Sequence, residues 1–275
     1  MNAHSAARGV HIDWCKMDSA TREPCCDLSI VIPAYNEERR LPQTLHLLRA
    51  YLGLQRLTAE VLVVDDGSSD GTATVVEAAL REWPQLRLLG LPHRGKGSAV
   101  RAGMLAATGR VRFLADADLS MPPHQLSGFL ELLAQGAQVV VGSREGSGAR
   151  RIGEPAIRHA LGRVFNRAAR ALGLTDLPDT QCGFKAFIAA AADRLFAEQT
   201  VDGFAFDLEI LYLAKRHGYR IAVLPIEWCF DADSRVSPLV DSLRMLKDIL
   251  VVRLRRVEPV RTLGVERGSK SSAAV

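Results

Sequence analysis

The chain has 275 residues, of which 48% are hydrophobic and 24% are charged, and its formal net charge is +4. This composition is ordinary for a soluble globular protein, and the length suits one domain or at most two small ones. The charge is too mild to indicate nucleic-acid binding, and no apolar run approaches the roughly 18 to 20 residues of a membrane-spanning helix.

The cysteines and the N-terminal residues bear on the cellular compartment. The five cysteines form an odd set without metal-ligand spacing, so we expect reduced thiols. The N-terminal stretch has no long apolar core, which argues against a signal peptide. We therefore expect a cytoplasmic protein, with peripheral contact at the inner face of the membrane as an additional expectation.

Apolar strand patterns alternate with helical patterns along the first half of the chain. Residues 1–26 show no periodicity and are predicted to form a disordered arm. The predicted strands cover 28–33, 60–65, 85–89, 111–115 and 137–143, and the predicted helices cover 38–54, 72–83, 97–107 and 123–135. This alternation predicts an α/β fold with a mostly parallel central sheet flanked by helices.

The second half of the chain is less regular. Residues 144–155 are rich in glycine and arginine and are predicted to form a mobile loop. The predicted elements that follow are a helix over 156–172, a strand over 179–187, a helix over 207–217, a strand over 221–227 and an amphipathic helix over 238–256. The last helix is expected to lie on anionic lipid headgroups, to pack its apolar side on the core with a solvated basic face, or to do both. Residues 257–275 are predicted to be a flexible tail.

Three polar clusters follow predicted strands, at 35–37, 65–70 and 116–118. Ligands of parallel sheets bind beyond the carboxyl ends of the strands, so these clusters are expected to form one site. Asp116 and Asp118 offer the oxygen ligands that suit Mg²⁺ or Mn²⁺, which would neutralise a diphosphate leaving group. The alternative is an acidic strand end with a helix cap.

The segment 65–71 (DDGSSDG) nearly fits a calcium loop that begins at Asp66. An EF-hand needs a helix before the loop, whereas the preceding residues here are predicted to form a strand. A strand-end loop whose aspartate accepts a hydrogen bond from a nucleobase fits better.

Residues 90–96 resemble a phosphate loop, but Gly97 stands where the Mg²⁺-binding hydroxyl should be. Lys96 still offers a cation to phosphate at a predicted helix start, and the dinucleotide G-x-G-x-x-G pattern is absent.

Further candidate residues lie in the second half of the chain. The segment 202–209 (DGFAFDLE) places Asp207 and Glu209 near a predicted helix start, where acidic residues can also be simple partners of the helix dipole. Arg144, Arg151 and Arg235 are candidates for holding a phosphate through bidentate contacts.

Taken together, the motifs resemble the inverting family 2 glycosyltransferases with a GT-A fold. The matching segments are 28–38 (LSIVIPAYNEE), 61–72 (VLVVDDGSSDGT), 94–103 (RGKGSAVRAG) and 113–121 (FLADADLSM). The second half is similar to the branch of dolichyl-phosphate β-glucosyltransferases and polyprenyl-phosphate sugar synthases, through 179–187 (DTQCGFKAF), 204–211 (FAFDLEIL) and 234–253. The resemblance implies one GT-A domain over 27–256, with a nucleotide-sugar-binding half at 27–143 and an acceptor half at 144–256.

The resemblance also implies roles for particular residues. It places the base and ribose of a UDP- or GDP-hexose against Pro33, Tyr35, Glu37 and Asp66. It places Lys96 near the phosphates, with Asp116 at the metal and its nucleotide and Asp118 at the metal. The implied reaction moves a hexose, with glucose from UDP-glucose expected, onto a polyprenyl or dolichyl phosphate.

The acceptor decides whether a base is needed. A lipid phosphate is already ionised near neutral pH, whereas a hydroxyl or thiol acceptor needs a base. For that case Asp207 is the first choice and Asp179 the second, with Glu209 also in the catalytic set. A small soluble acceptor stays open, because the N-terminal membrane anchor of the eukaryotic glucosyl enzymes is not predicted here.

A nucleotidyltransferase would have a glycine-rich basic loop after the first strand, whereas residues 34–38 (AYNEE) are acidic. A non-catalytic nucleotide-binding protein is disfavoured because all the acidic positions are intact.

Overall fold

The computed structural model describes residues 25–231 and 252–253, in which strands and helices alternate. The strands are β1 (Cys26–Ala34), β2 (Ala59–Asp65), β3 (Leu86–Gly90), β4 (Gly109–Leu114), β5 (Val139–Ser143), β6 (Arg150–Ile152), β7 (Lys185–Ile188), β8 (Ile221–Pro225) and β9 (Glu227–Cys229). The helices are α1 (Leu41–Gly53), α2 (Thr72–Leu80), α3 (Lys96–Ala106), α4 (Leu126–Ala134), α5 (Ala156–Ala171), α6 (Ala189–Glu198) and α7 (Phe206–Arg216). A 3-10 turn, Pro123–Gln125, precedes α4.

Seven strands form one sheet in the order β3-β2-β1-β4-β7-β5-β8. Neighbouring strands are parallel except around β7, which is antiparallel to both β4 and β5. Strands β6 and β9 pair separately as a short parallel ribbon. The sheet confirms the predicted α/β fold and contains strands from both halves of the chain.

Helices cover both faces of the sheet, as the alternation of side chains along β4 illustrates. Phe113 packs edge-on against Phe129 of α4, with 5.1 Å between the ring centroids. The neighbouring Arg112 points to the opposite face, where its guanidinium donates to the carboxylate of Asp193 on α6. Covered on both sides, β2 carries the buried apolar run Val61–Val64, which is typical of parallel sheets.

The second half differs from the prediction in three places. The predicted mobile loop 144–155 contains β6, which pairs with β9 about 77 positions further along the chain. The predicted strand 179–187 is a strand only from Lys185, and it continues to Ile188. Helix α6 was not predicted. Only residues 252–253 of the predicted helix 238–256 are described. The rest of that helix, the predicted arm up to residue 24 and the predicted tail lie outside the described residues.

Candidate active site

The carboxyl ends of β1, β2 and β4 bring the three predicted polar clusters to one edge of the sheet. Ala34 at the end of β1 lies beside Asp65 at the end of β2, and the amide of Ala115 donates to the carbonyl of Val31. Tyr35 and Asp66 therefore directly follow β1 and β2, and Asp116 follows β4 after one residue, Ala115. The predicted convergence of these clusters is borne out by the geometry of the backbone.

The part of the site next to β1 and β2 is built around Asp66. Asp66 is 2% exposed, and its carboxylate accepts the amides of Arg94 at 3.0 Å and Gly95 at 2.9 Å. The ring nitrogen Nδ1 of His93 lies 2.8 Å from the same carboxylate, and the His93 ring stacks on Tyr35 at 4.1 Å. Asp66 thus fixes the loop before α3 and presents a stacked aromatic pair at the site. Pro33 is buried in β1.

Arg40 links two of the clusters and was not among the predicted residues. It holds both carboxylate oxygens of Glu37, with Nε donating to Oε2 at 2.7 Å. Its Nη1 atom lies 3.9 Å from Asp118 and 3.4 Å from Asp231. Burial alone would lower the pKa of Arg40, but its carboxylate neighbours, Glu37 foremost, raise that pKa above its ordinary value. Arg40 therefore stays charged and links Glu37 to Asp118 of the acidic triplet, which is Asp116–Ala117–Asp118.

Lys96 begins α3 and reaches the triplet. Its Nζ atom donates to Oδ1 of Asp116 at 2.6 Å. Burial alone would raise the pKa of Asp116, but the charge and the hydrogen bond of Lys96 keep it below its ordinary value. The loop around Lys96 is fixed by Gly95, whose φ of 125° favours glycine and whose added Cβ would lie 2.6 Å from the carbonyl oxygen of Asp202.

The residues of the triplet fit a hard divalent cation. Burial, followed by the negative charge of Asp116, raises the pKa of Asp118 above its ordinary value, so the two carboxylates repel each other. A cation between them would remove this cost, and carboxylate oxygens are the ligands that Mg²⁺ and Mn²⁺ prefer. Among the described residues no group of three or more His, Cys, Asp or Glu side chains is placed to hold a metal. The two aspartates therefore supply only part of an oxygen ligand set.

Glycine is required at position 183 because β7 approaches the triplet. An added Cβ at Gly183 would overlap the carboxylate of Asp116. The segment before β7, which the sequence predicts as a strand, is not a strand, and its Gly183 lies against the carboxylate of Asp116, the predicted metal ligand.

Asp207, the first candidate for a base, lies on α7 and is paired with a buried lysine. Its Oδ1 atom accepts from Nζ of Lys185 at 2.7 Å, and the two residues are 5% and 1% exposed. Lys185 also donates to the carbonyl of Cys182. Burial raises the pKa of Asp207 above its ordinary value, and the lysine opposes this shift. The lysine was missed, although its place among the apolar residues Phe184, Ala186 and Phe187 was a signal that it pairs with a buried carboxylate.

Asp179, the second candidate, forms a two-pronged ion pair with Arg144. Its oxygens accept from Nε at 2.8 Å and from Nη2 at 3.0 Å, and the amide of Arg144 donates to it at 3.0 Å. Burial alone would raise the pKa of Asp179, but Arg144 holds it well below its usual range. The guanidinium also lies over the Trp228 ring, 5.2 Å from its centroid. Arg144 is thus held firmly on the side of the site that the second half of the chain forms.

The remaining candidates lie around these pairs. Arg151 donates to the carbonyl of Arg144 at 3.0 Å and to carboxylates of Glu145 and Glu154, so it braces the loop that carries Arg144. Arg235 lies outside the described residues. Glu209 is fully buried and accepts the amide of Val201 at 2.8 Å and that of Thr200 at 3.0 Å. These bonds hold residues 200–201 against the start of α3, where Gln199 donates to the carbonyl of Gly97.

Comparison with known proteins decides the family. The model of the family described as "Glycosyl transferase family 2" matches residues 29–196. The chain belongs to this family. A dolichyl-phosphate beta-glucosyltransferase from Drosophila melanogaster is 35% identical over 84% of this chain and 76% of its own length. The corresponding human protein is 34% identical over 86% of this chain and 77% of its own length. The chain is a glycosyltransferase, as the sequence motifs indicated.

Solved structures support the fold assignment. Glucosyl-3-phosphoglycerate synthase from Mycobacterium tuberculosis in complex with UDP has a TM-score of 0.63 and 21% identity, covering 83% of this chain and 80% of that chain. A complex of the same enzyme with Mn²⁺, UDP and glucosyl-3-phosphoglycerate has a TM-score of 0.62. The predicted GT-A fold is confirmed. Within residues 25–231 and 252–253, no helix combines the length and apolarity needed to cross a bilayer.

Proposed function

We propose that this glycosyltransferase moves glucose from UDP-glucose onto a polyprenyl or dolichyl phosphate. The relatives named for transfer to dolichyl phosphate are 31% to 36% identical over most of the chain, and this supports the acceptor class. UDP and UDP-glucose complexes of the structural neighbours support the donor. Among the described cysteines, Cys25, Cys26, Cys182 and Cys229 are free thiols, which supports a cytoplasmic location.

The choice of acceptor rests on the burial and the bonding of the three carboxylates that could act as a base. Asp179, Asp207 and Glu209 are all buried, and each is bonded to a cation or to backbone amides. A hydroxyl or thiol acceptor would require one of them to leave these partners and take a proton. A phosphate acceptor brings its own negative charge and needs no such step. The arrangement therefore favours an acceptor that is already an anion.

The donor's diphosphate has a place at the acidic triplet. Asp116 and Asp118 would hold Mg²⁺ or Mn²⁺, which supplies charge neutralisation for the departing nucleoside diphosphate. Lys96 adds a second positive charge at the same place. Tyr35 and His93 offer a flat aromatic surface for the base, and Arg40 holds Glu37 beside it. The attacking phosphate oxygen approaches C1 of the sugar from the opposite side, which inverts the configuration.

The acceptor phosphate is assigned to the side of Arg144. Its guanidinium is oriented by Asp179 and Trp228, so it can meet an anion without first losing rotamer freedom. Arg151 contributes by fixing the loop and by its own charge. The predicted role of Arg235 stays a prediction. Asp207, paired with Lys185, serves in this scheme to balance charge beneath the site.

A donor-by-acceptor panel tests the proposal. UDP-glucose, other UDP-hexoses and GDP-mannose would each be offered with a short-chain polyprenyl phosphate, the corresponding polyprenol, and 3-phosphoglycerate. Each pair would be measured in EDTA, Mg²⁺ and Mn²⁺. We expect glucose transfer from UDP-glucose to the polyprenyl phosphate, with no product from the alcohol. Turnover of 3-phosphoglycerate alone would refute the lipid acceptor, and equal rates in EDTA would refute the metal site.

A further inference from the structure

Helix α5 presents an apolar strip to the solvent. Val164 is 61% exposed, and Leu172, which caps the helix, is 37% exposed. At about 3.6 residues per turn, Ala160 and Ala171 lie on the same side as Val164, and both are exposed. The helix packs on the protein through a different side, which carries the buried Phe165 and Ala169. The strip is therefore not the core-facing side of an ordinary surface helix.

A row of arginines runs along one edge of this strip. Arg163, Arg167 and Arg170 are all exposed and follow one another at helical spacing. The sequence from 156 to 172 contains no acidic residue, so this charge is not balanced within the helix. An exposed apolar strip bordered by arginines matches a surface of anionic headgroups above an apolar layer. The arginines would contact the lipid phosphates, and the apolar strip would contact the acyl chains.

The helix is joined to the proposed acceptor side of the site by two side-chain contacts. Asn166 of α5 accepts the hydroxyl of Thr180 at 2.6 Å and its amide at 3.2 Å. Thr180 directly follows Asp179, which orients Arg144. Nearer the start of α5, Nε2 of His159 lies 2.8 Å from Glu145, which also binds Arg151. A surface that α5 contacts would therefore be held beside the acceptor arginines.

We propose that α5 docks this protein on a lipid bilayer that contains anionic headgroups. The apolar strip enters the headgroup boundary, and the three arginines bind the lipid phosphates beside it. The biological reason for the docking rests on the proposed function, since a polyprenyl phosphate lies in a membrane. The docking itself is a binding property and can be measured without donor or acceptor.

The test is sedimentation of the full chain with vesicles of phosphatidylcholine alone or mixed with phosphatidylglycerol. We expect binding to the anionic vesicles only. An arginine near an anionic surface contributes about a fivefold gain in affinity, so R163Q/R167Q/R170Q should lower it by on the order of a hundredfold. V164D should also weaken binding, by about tenfold. The matched controls are L54D, at an exposed leucine at the end of α1, and R49Q/R56Q/R81Q, at exposed arginines of the first half; both should bind like the unmodified protein.

The outcomes separate docking from catalysis. Unchanged vesicle binding by the α5 variants would overturn the proposal, and so would equal losses in the control variants. Binding of the unmodified protein to neutral and anionic vesicles alike would overturn it too. Both sets of variants should transfer glucose to a detergent-dispersed short-chain acceptor at the unmodified rate. If no variant transfers glucose but the binding differences are as expected, the proposed function fails while the docking surface stands.

Discussion

Replacement of Lys185 by methionine tests the buried charge network beneath the site. Methionine fills a similar volume but leaves the carboxylate of Asp207, which is 5% exposed, without its cation. Removing one partner of a buried ion pair costs about 3–5 kcal/mol of unfolding free energy. The same change at Lys215, whose partner Asp176 is exposed, should cost about 0.5 kcal/mol or less, because water screens that pair.

The loss should depend on pH with a defined sign. Burial already raises the pKa of Asp207 in the folded state above its ordinary value of 3.8, and removal of Lys185 raises it further. The folded state then binds a proton more tightly than the unfolded state, so stability falls as pH rises between the two pKa values. The K185M protein should therefore regain stability on acidification, by up to about 1.4 kcal/mol for each pH unit relative to the unmodified protein.

Urea denaturation of four proteins between pH 5 and pH 8 measures this effect. The proteins are the unmodified chain, K185M, D207N and K185M/D207N. The double variant should recover most of the stability lost in K185M, because the uncompensated charge is gone. A double variant no more stable than K185M, or a loss that is the same at every pH, would show that the lysine acts through packing and not through the charge of Asp207.

Three further substitutions test the donor side of the site. D118N should lower transfer by about 100-fold or more and abolish its response to Mn²⁺. Thermal stability should not fall, because the repulsion between the carboxylates of Asp118 and Asp116 is relieved. Unchanged Mn²⁺ stimulation would contradict the metal assignment. G183A should lower metal-stimulated transfer because its Cβ displaces the Asp116 carboxylate. The control G53A, whose added Cβ would have no atom within 4 Å, should leave transfer rates unchanged. Equal rates in the two variants would contradict the placement of Asp116 at the metal. K96M should lower kcat by roughly 10²-fold while UDP, measured by calorimetry, still binds; a change confined to KM would assign the lysine to ground-state binding.

The first half of the chain could be predicted closely because its signals are local. The strand 60–65 is an apolar β-branched run, and each polar cluster follows its own strand directly. The parallel pairing of β1 with β2 and β4 then brings the clusters together without further information. Family 2 membership followed from the order of these motifs.

The second half could not be predicted in the same way because its interactions join distant parts of the chain. Arg144 meets Asp179 across 35 positions, and Lys185 meets Asp207 across 22. Three arginines were predicted to hold phosphate, and the two that the structure describes, Arg144 and Arg151, are both bonded to carboxylates, which no local pattern indicates. Helix α6 follows β7 without a separating glycine or proline, so a break between strand and helix was not visible in the sequence.

The position of β7 has a consequence for how the protein is made. β7 joins β4 to β5, yet it is synthesised after both, with the whole of α5 in between. A nascent chain that has emerged only to residue 184 holds two strands whose facing edges have no partner. Contacts of such long sequence separation form slowly, since the intervening loop must close first. The sheet is therefore joined between β4 and β5 only late in synthesis, after β1, β2 and β4 have emerged, and a ribosome paused before Lys185 would expose an open sheet.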